Sequence, residues 1–160
     1  MKITAQEEYG LRILIRVAGC IDTDGLSIPQ LSEAEGLSSH YVAKLCRILR
    51  MADLINSTPG NKGGYILAKP AEEIIIKYVL DALGGKLFDI SFCGDHAGAM
   101  RFCTNSVDCS ARSLWSIIQM TMDKLLLQIT LADLIGNTEE RTSEKFQQLL
   151  VENPVKEAEG

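Results

Sequence analysis

No apolar run in this 160-residue chain approaches the roughly 20 residues needed to cross a bilayer, so no membrane span is expected. The chain carries no nucleotide-binding glycine loop, no catalytic-triad pattern and no Cys-x-x-Cys pair; without them nothing points to an enzyme. It also has no internal repeat. Val17-Ala18-Gly19-Cys20 superficially resembles a lipoprotein cleavage box. Glu7, Glu8, Arg12 and Arg16, however, stand where a signal peptide needs an uncharged apolar stretch. With no secretory route, five cysteines, an odd number, do not read as a disulfide framework. The expected compartment is a reducing cytoplasm, where grouped cysteines are metal-binding or redox-active. An excess of positive charge is missing too, since the net charge is -5. Its distribution is uneven. Residues 1–69 hold eight Lys/Arg against seven Asp/Glu, whereas residues 137–160 hold three against six. A local basic face in the N-terminal half is therefore compatible with the acidic total.

Cys93, Cys103 and Cys109 lie together in a Gly-, Asp- and Ser-rich stretch between two apolar, helix-like segments. Cysteines that serve packing sit on periodic apolar faces, as Cys20 and Cys46 do in this sequence. Thiols in a polar loop have no core to fill, so metal ligation or thiol chemistry is the leading explanation.

Upstream, Thr4-x-x-Glu7 is a capping box that opens an apolar helix ending near Asp22. Ser27-x-x-Gln30 is a second capping box, with Pro29 in the first turn of a short helix through Glu35 that Gly36 ends. Ser38 or Ser39 caps the next helix, in which Val42, Leu45, Cys46 and Leu49 share one face. Short strands at Leu54–Ser57 and Tyr65–Ala68 flank a turn-rich hairpin. Pro70 opens a helix through about Leu83. The longest apolar-periodic segment runs from Ser113 to Ile135, and the polar end of the chain reads as a partly disordered tail.

A short helix, a glycine turn and a longer amphipathic helix is the geometry that places a second helix in the major groove of double-stranded DNA. A glycine-rich hairpin after it reads as a wing, which must approach the backbone without side-chain bulk. The outward, N-terminal part of the second helix offers Ser39, His40, Tyr41 and Lys44 for recognition. Lys44, Arg47 and Arg50 are candidate phosphate contacts, and Asn61 and Lys62 on the wing are further candidate DNA contacts. Each has a plainer reading, His40 as an exposed helix-start histidine and the cations as solvated charges.

These residues resemble the Rrf2 family of winged-helix regulators, which includes IscR-like and NsrR-like branches. The resemblance is carried by Met1-Lys-Ile-Thr4, Tyr9-Gly-Leu-Arg12, Ile28-Pro-Gln-Leu31, Gly36-Leu-Ser38 and Tyr41-Val-Ala-Lys-Leu45. It continues through Gly60-Asn-Lys-Gly-Gly-Tyr65, Leu83-Gly84-Gly85, Leu114-Trp115 and Ile129-Thr-Leu-Ala-Asp-Leu134. It implies a mainly α fold with a small β-hairpin wing. Residues 1–85 would form a winged helix-turn-helix domain, 86–112 a cysteine-rich cluster-binding loop, 113–136 a dimerisation helix and 137–160 the tail. Members with three cysteines in this loop generally hold an iron–sulfur cluster, of two or four irons, and switch DNA binding with its state. Two positions depart from the pattern. Pro59 stands where the wing usually carries arginine, and nine residues, a longer gap than usual, separate Cys93 from Cys103.

The loop offers three thiolates, whereas a cluster usually takes four protein ligands. IscR-like members place a histidine three residues after the last cysteine, and here that residue is Arg112, which cannot ligate iron. His96 lies in the loop but matches no family ligand position. The NsrR-like branch uses a carboxylate from the partner subunit's first helix, and the corresponding position here is Glu8. A first-turn glutamate stabilised by the helix dipole is the plain reading of the same residue. Leu114, Ile117, Ile118, Thr121, Leu125 and Ile129 form the expected dimer stripe, and a two-fold dimer implies a pseudo-palindromic operator. The function expected is a homodimeric transcription regulator, of the repressor type, whose cluster senses redox state, nitric oxide or iron–sulfur status. A winged helix with structural zinc, or with a metal-free thiol switch between Cys103 and Cys109, is the alternative.

Overall fold

Thr4 starts the first helix by accepting the Glu7 N–H while Glu7 reaches back to the Thr4 backbone. This reciprocal cap is worth about 1 kcal/mol. In the computed structural model, which describes residues 3–61, 63–85, 108–136 and 139–152, that helix is α1, Ala5–Gly19. Expectations for Lys62, Cys93, His96, Cys103 and the last eight residues of the tail lie outside the described residues. Ser27 and Gln30 cap α2, Ile28–Glu35, in the same reciprocal way. Gly36 ends it in the left-handed conformation at φ 66°. Ser38 then caps α3, Ser39–Met51, whose Val42, Leu45, Cys46 and Leu49 are buried. Strands β1, Ile55–Ser57, and β2, Tyr65–Leu67, pair antiparallel in the register Ile55 with Leu67 and Ser57 with Tyr65. Helix α4 is Ile76–Leu83, α5 is Ser110–Leu126 and α6 is Glu139–Glu152.

The core forms where α1, α3 and α4 meet, with Ile13, Leu14, Leu45, Leu49, Val79 and Leu83 fully enclosed. Gly10 lets α1 and α4 approach, because a methyl group there would sit 2.3 Å from a Leu83 side-chain carbon. Burial pushes the Cys46 thiol up to about 11, so this cysteine packs and stays protonated, as its place on the apolar face predicts. Cys20, expected to pack as well, is instead half-buried at the C-terminal cap of α1.

Three expectations change. The helix opened by Pro70 is only a 3-10 turn at Ala71–Glu73, and α4 starts at Ile76. Between them the backbone of Ile74 and Ile76 pairs with Leu131 and Ile129, so long-range bonding overrides the local helical preference. For the same reason the long helix does not reach Ile135. It starts earlier, at Ser110, ends at Leu126, and is followed by a 3-10 turn at Leu131–Leu134. Ile129, assigned to the dimer stripe, is 5% exposed within the core of its own chain. Finally, residues 139–152 of the polar tail are helical, with Phe146 and Leu149 packed against the core.

Helix α6 is further tied down by Lys145, which donates to Asp133 in the preceding turn. Burial pushes the Asp133 carboxyl up, but the hydrogen bond and charge of Lys145 and the Thr130 N–H outweigh it and hold its pKa below the ordinary value. A depressed folded-state pKa gives stability that is present above the unfolded value, near ~3.9, and is lost as pH falls through the folded value. The parent chain should therefore melt above Asp133→Asn at neutral pH, with the gap closing in acid. A gap independent of pH in thermal melts would contradict this linkage.

Candidate nucleic-acid interface and cysteine site

The exposed face of α3 follows from its helical period. With Val42, Leu45, Cys46 and Leu49 turned inward, His40, Lys44, Arg47 and Met51 form a line on the opposite side, with Ser39 and Arg50 beside it. Three cations and a histidine on one solvent face, on a helix whose other face is core, is a surface suited to phosphate and base-edge contacts. Tyr41 differs from the rest of the expected recognition set. It is half-buried, its ring meeting the Tyr9 ring edge-on at 6.2 Å and 84°. It anchors the start of α3 on α1.

The wing is fastened to the helix-turn-helix by backbone. Leu26 and Tyr65 exchange hydrogen bonds of 3.1 and 2.8 Å, which sets Leu26 beside the hairpin as a one-residue third strand. Thr58 Oγ1 accepts the Gly64 N–H at 2.9 Å and donates to the Asp24 carbonyl at 2.9 Å. Gly25 and Gly64 make this approach possible, since a methyl group on either would lie 2.2 or 2.1 Å from a backbone oxygen. Gly60 and Gly63, by contrast, have φ of 130° and 46° with open space beyond them. They leave the wing tip free to lie close to a ligand backbone. Pro59 and Asn61 are exposed at that tip.

Two positioning groups were missed by the sequence reading. Thr58 carries no local signal beyond its place in the turn-rich hairpin. Glu35 was counted only as the last residue of a short helix, yet its side chain is 2% exposed and lies between Arg12 and Arg16. The available signal was the pair of arginines one turn apart on α1.

Cys109 is the N-cap of α5, its sulfur accepting the Arg112 N–H at 3.4 Å. Among the described residues no three His, Cys, Asp or Glu side chains converge; two of the three expected thiols lie outside them. The donor chemistry at Cys109 fits a thiolate-held group. Glu8 is half-exposed on α1, 3.9 Å from Arg12. It lines an apolar cleft of about 270 Å³ between α1, α4 and α5. The wall of that cleft includes Lys77, which is one-tenth exposed, pairs with Asp81, and lies 3.4 Å from Asp123 on α5. Burial pulls the Lys77 ammonium down, but the hydrogen bond and charge of Asp81, with those of Asp123, outweigh it and raise its pKa. The Lys77–Asp123 contact ties α5 to α4.

Leu114, Ile117 and Met120 on α5 are each more than half exposed, and Trp115 is half exposed. Thr121 is exposed and Ile118 half-buried on the same helix, while Leu125 packs on the core with Ile129. The expected stripe is thus split into an outward half and an inward half.

Residues 3–137 match the Rrf2 family, described as iron-dependent transcriptional regulators. The chain is 34% identical over 135 residues to protein rrf2 of Nitratidesulfovibrio vulgaris, across 84% of this chain and 87% of that one. The fold is similar to CymR, the global cysteine regulator of B. subtilis, with a TM-score of 0.69 and 27% identity over 87% of this chain and 99% of that one. It is also similar to T. potens IscR, with a TM-score of 0.62 and 25% identity over the whole of this chain and 94% of that one.

Proposed function

This chain belongs to the Rrf2 family of transcriptional regulators, and from that premise we propose that it is a cytoplasmic, homodimeric repressor whose operator affinity follows the state of its cysteine loop. The observation that carries the DNA half is the exposed cationic face of α3 beside a wing fastened by backbone bonds. Lys44, Arg47 and Arg50 hold phosphates, Asn61 and Lys62 extend the grip from the wing, and Ser39 and His40 read base edges. Leu114, Ile117, Ile118 and Thr121 supply the dimer face, and a two-fold pair of α3 helices requires a pseudo-palindrome.

For the sensor half, Cys93, Cys103 and Cys109 would hold an iron–sulfur cluster, with Glu8 of the partner subunit as fourth ligand. When bound, that group supplies a redox-active centre reactive toward oxidants and nitric oxide. Cys109 supports this reading because its sulfur caps the helix that bears the exposed apolar face, so a change at the thiol acts directly on the start of α5. A second reading, a metal-free thiol switch, is supported by the similarity to CymR, which is also known in an oxidized form from Staphylococcus aureus.

Selection of duplexes from a random library by the full chain tests the DNA reading, with an enriched palindrome expected. Lys44→Ala should weaken binding to every duplex and lower the salt slope by about one, whereas His40→Ala should change the preferred sequence. Recovery of no enriched sequence would contradict a sequence-specific regulator.

A further inference from the structure

Glu35 carries a cost that its position must justify. Its side chain is 2% exposed, and taking a carboxylate out of water is unfavourable before any partner is counted. Two arginines on α1 compensate. Arg16 Nε donates to Oε1 at 2.6 Å. Arg12 Nε lies 2.7 Å from Oε2 but out of line for a hydrogen bond, so among the described residues Oε2 has a close charge and no donor. Both arginines are about half exposed, and partly exposed ion pairs add little net stability, so what these pairs contribute is the placement of α2 against α1.

The arrangement in question is visible from Arg12 onward. Its guanidinium carbon stands 5.6 Å from the centre of the Tyr9 ring, a cation–π contact. Tyr9 in turn meets Tyr41 edge-on, and Tyr41 is in the first turn of α3, next to His40. Glu35, Arg12, Tyr9 and Tyr41 thus form a continuous chain from the end of α2, across α1, to the start of α3. It spans from outside the turn at residues 36–38, where Ser32 already accepts the Leu37 N–H and bonds to Ser39, and adds a second tie between the two helices through α1.

We propose that Glu35 is a positioning residue for sequence reading: through Arg12, Tyr9 and Tyr41 it sets where Ser39 and His40 enter the groove, while its own side chain stays out of reach of DNA. The proposal rests on the DNA-binding reading above. It requires that loss of the carboxylate degrade discrimination and leave the phosphate grip, which Lys44, Arg47 and Arg50 provide, intact.

The test uses the full chain, the duplex selected by the parent protein and a scrambled duplex of equal length. Glu35→Gln should lower affinity for the selected duplex by about tenfold, comparable to one mismatched base pair, with little change for the scrambled duplex or the salt slope. Arg12→Lys keeps the charge but loses the planar fork and the ring contact, so it should give the same result. It decides the matter if Glu35→Gln does not fold. Unchanged discrimination in the folded variants, or equal weakening on both duplexes, overturns the proposal alone. A parent protein that prefers no duplex removes the DNA-reading premise and the proposal with it.

Discussion

A Gly25→Ala protein should melt about 4–20 °C below the parent chain and bind DNA poorly at temperatures where it is still folded. Two costs combine. Gly25 has φ 71°, and the left-handed conformation costs an alanine roughly 1–2 kcal/mol. The new methyl group would also lie 2.2 Å from the Tyr65 carbonyl oxygen, and relieving such overpacking costs about 1–3 kcal/mol. Each kcal/mol moves the melting point by roughly 2–4 °C in a chain of this size. Because Tyr65 and Leu26 exchange the bonds that fasten the wing, relief must come from moving the hairpin off the helices. Gly36→Ala is the internal control. Its φ is 66° with nothing within 4 Å, so it incurs the conformational cost without the collision. Equal losses in the two variants, measured by calorimetry, would show that the wing is not held by close backbone approach.

Replacement of the loop cysteines should have an all-or-none effect on bound iron. Anaerobically isolated parent protein is expected to be brown and to contain iron with acid-labile sulfide. Cys93→Ala, Cys103→Ala and Cys109→Ala should each bleach it, because losing one thiolate of three leaves too few soft ligands for the group. Cys46→Ala should not, since that thiol is fully buried and held protonated. Cys20→Ala should not either, since Cys20 caps α1 at Val17, beside the helix-turn-helix. Glu8→Ala should retain dimers, because the exposed part of α5 is untouched, yet lose colour faster in air. Stoichiometric zinc without sulfide would replace the cluster with a structural metal. Colourless, metal-free protein that forms a Cys103–Cys109 disulfide on oxidation would favour the thiol switch.

What the sequence revealed was mostly local chemistry. Thr4, Ser27, Gly36 and Ser38 mark helix ends through bonds to residues three or four positions away, so their meaning is readable in a short window. The face of α3 is equally local, because one period decides both its buried and its exposed residues. The errors arise where distant chain segments compete. Ile74 and Ile76 look helical, but their backbones bond to Leu131 and Ile129, more than fifty positions later. The same pairing draws Ile129 into the core and cuts short a helix whose apolar period continues beyond it. Residues 139–152 looked like tail because they are polar, yet Phe146 and Leu149, three apart, suffice to dock a helix on the core. At the site, the exposed cations were legible and the groups that position them were not. A carboxylate such as Glu35 acquires its role only when two arginines nineteen and twenty-three residues earlier in the chain fold against it.

Operator affinity is expected to follow the state of the cysteine loop. This dependence is tested most directly by measuring the dissociation constant for the selected duplex on one anaerobic preparation, before and after removal of its iron and sulfide. The account predicts a change of about 5–150-fold, the span typical of coupling between two sites in one protein, and no such change in a Cys109→Ala protein treated identically. The same affinity before and after removal, in a parent protein that had contained the cluster, would contradict it.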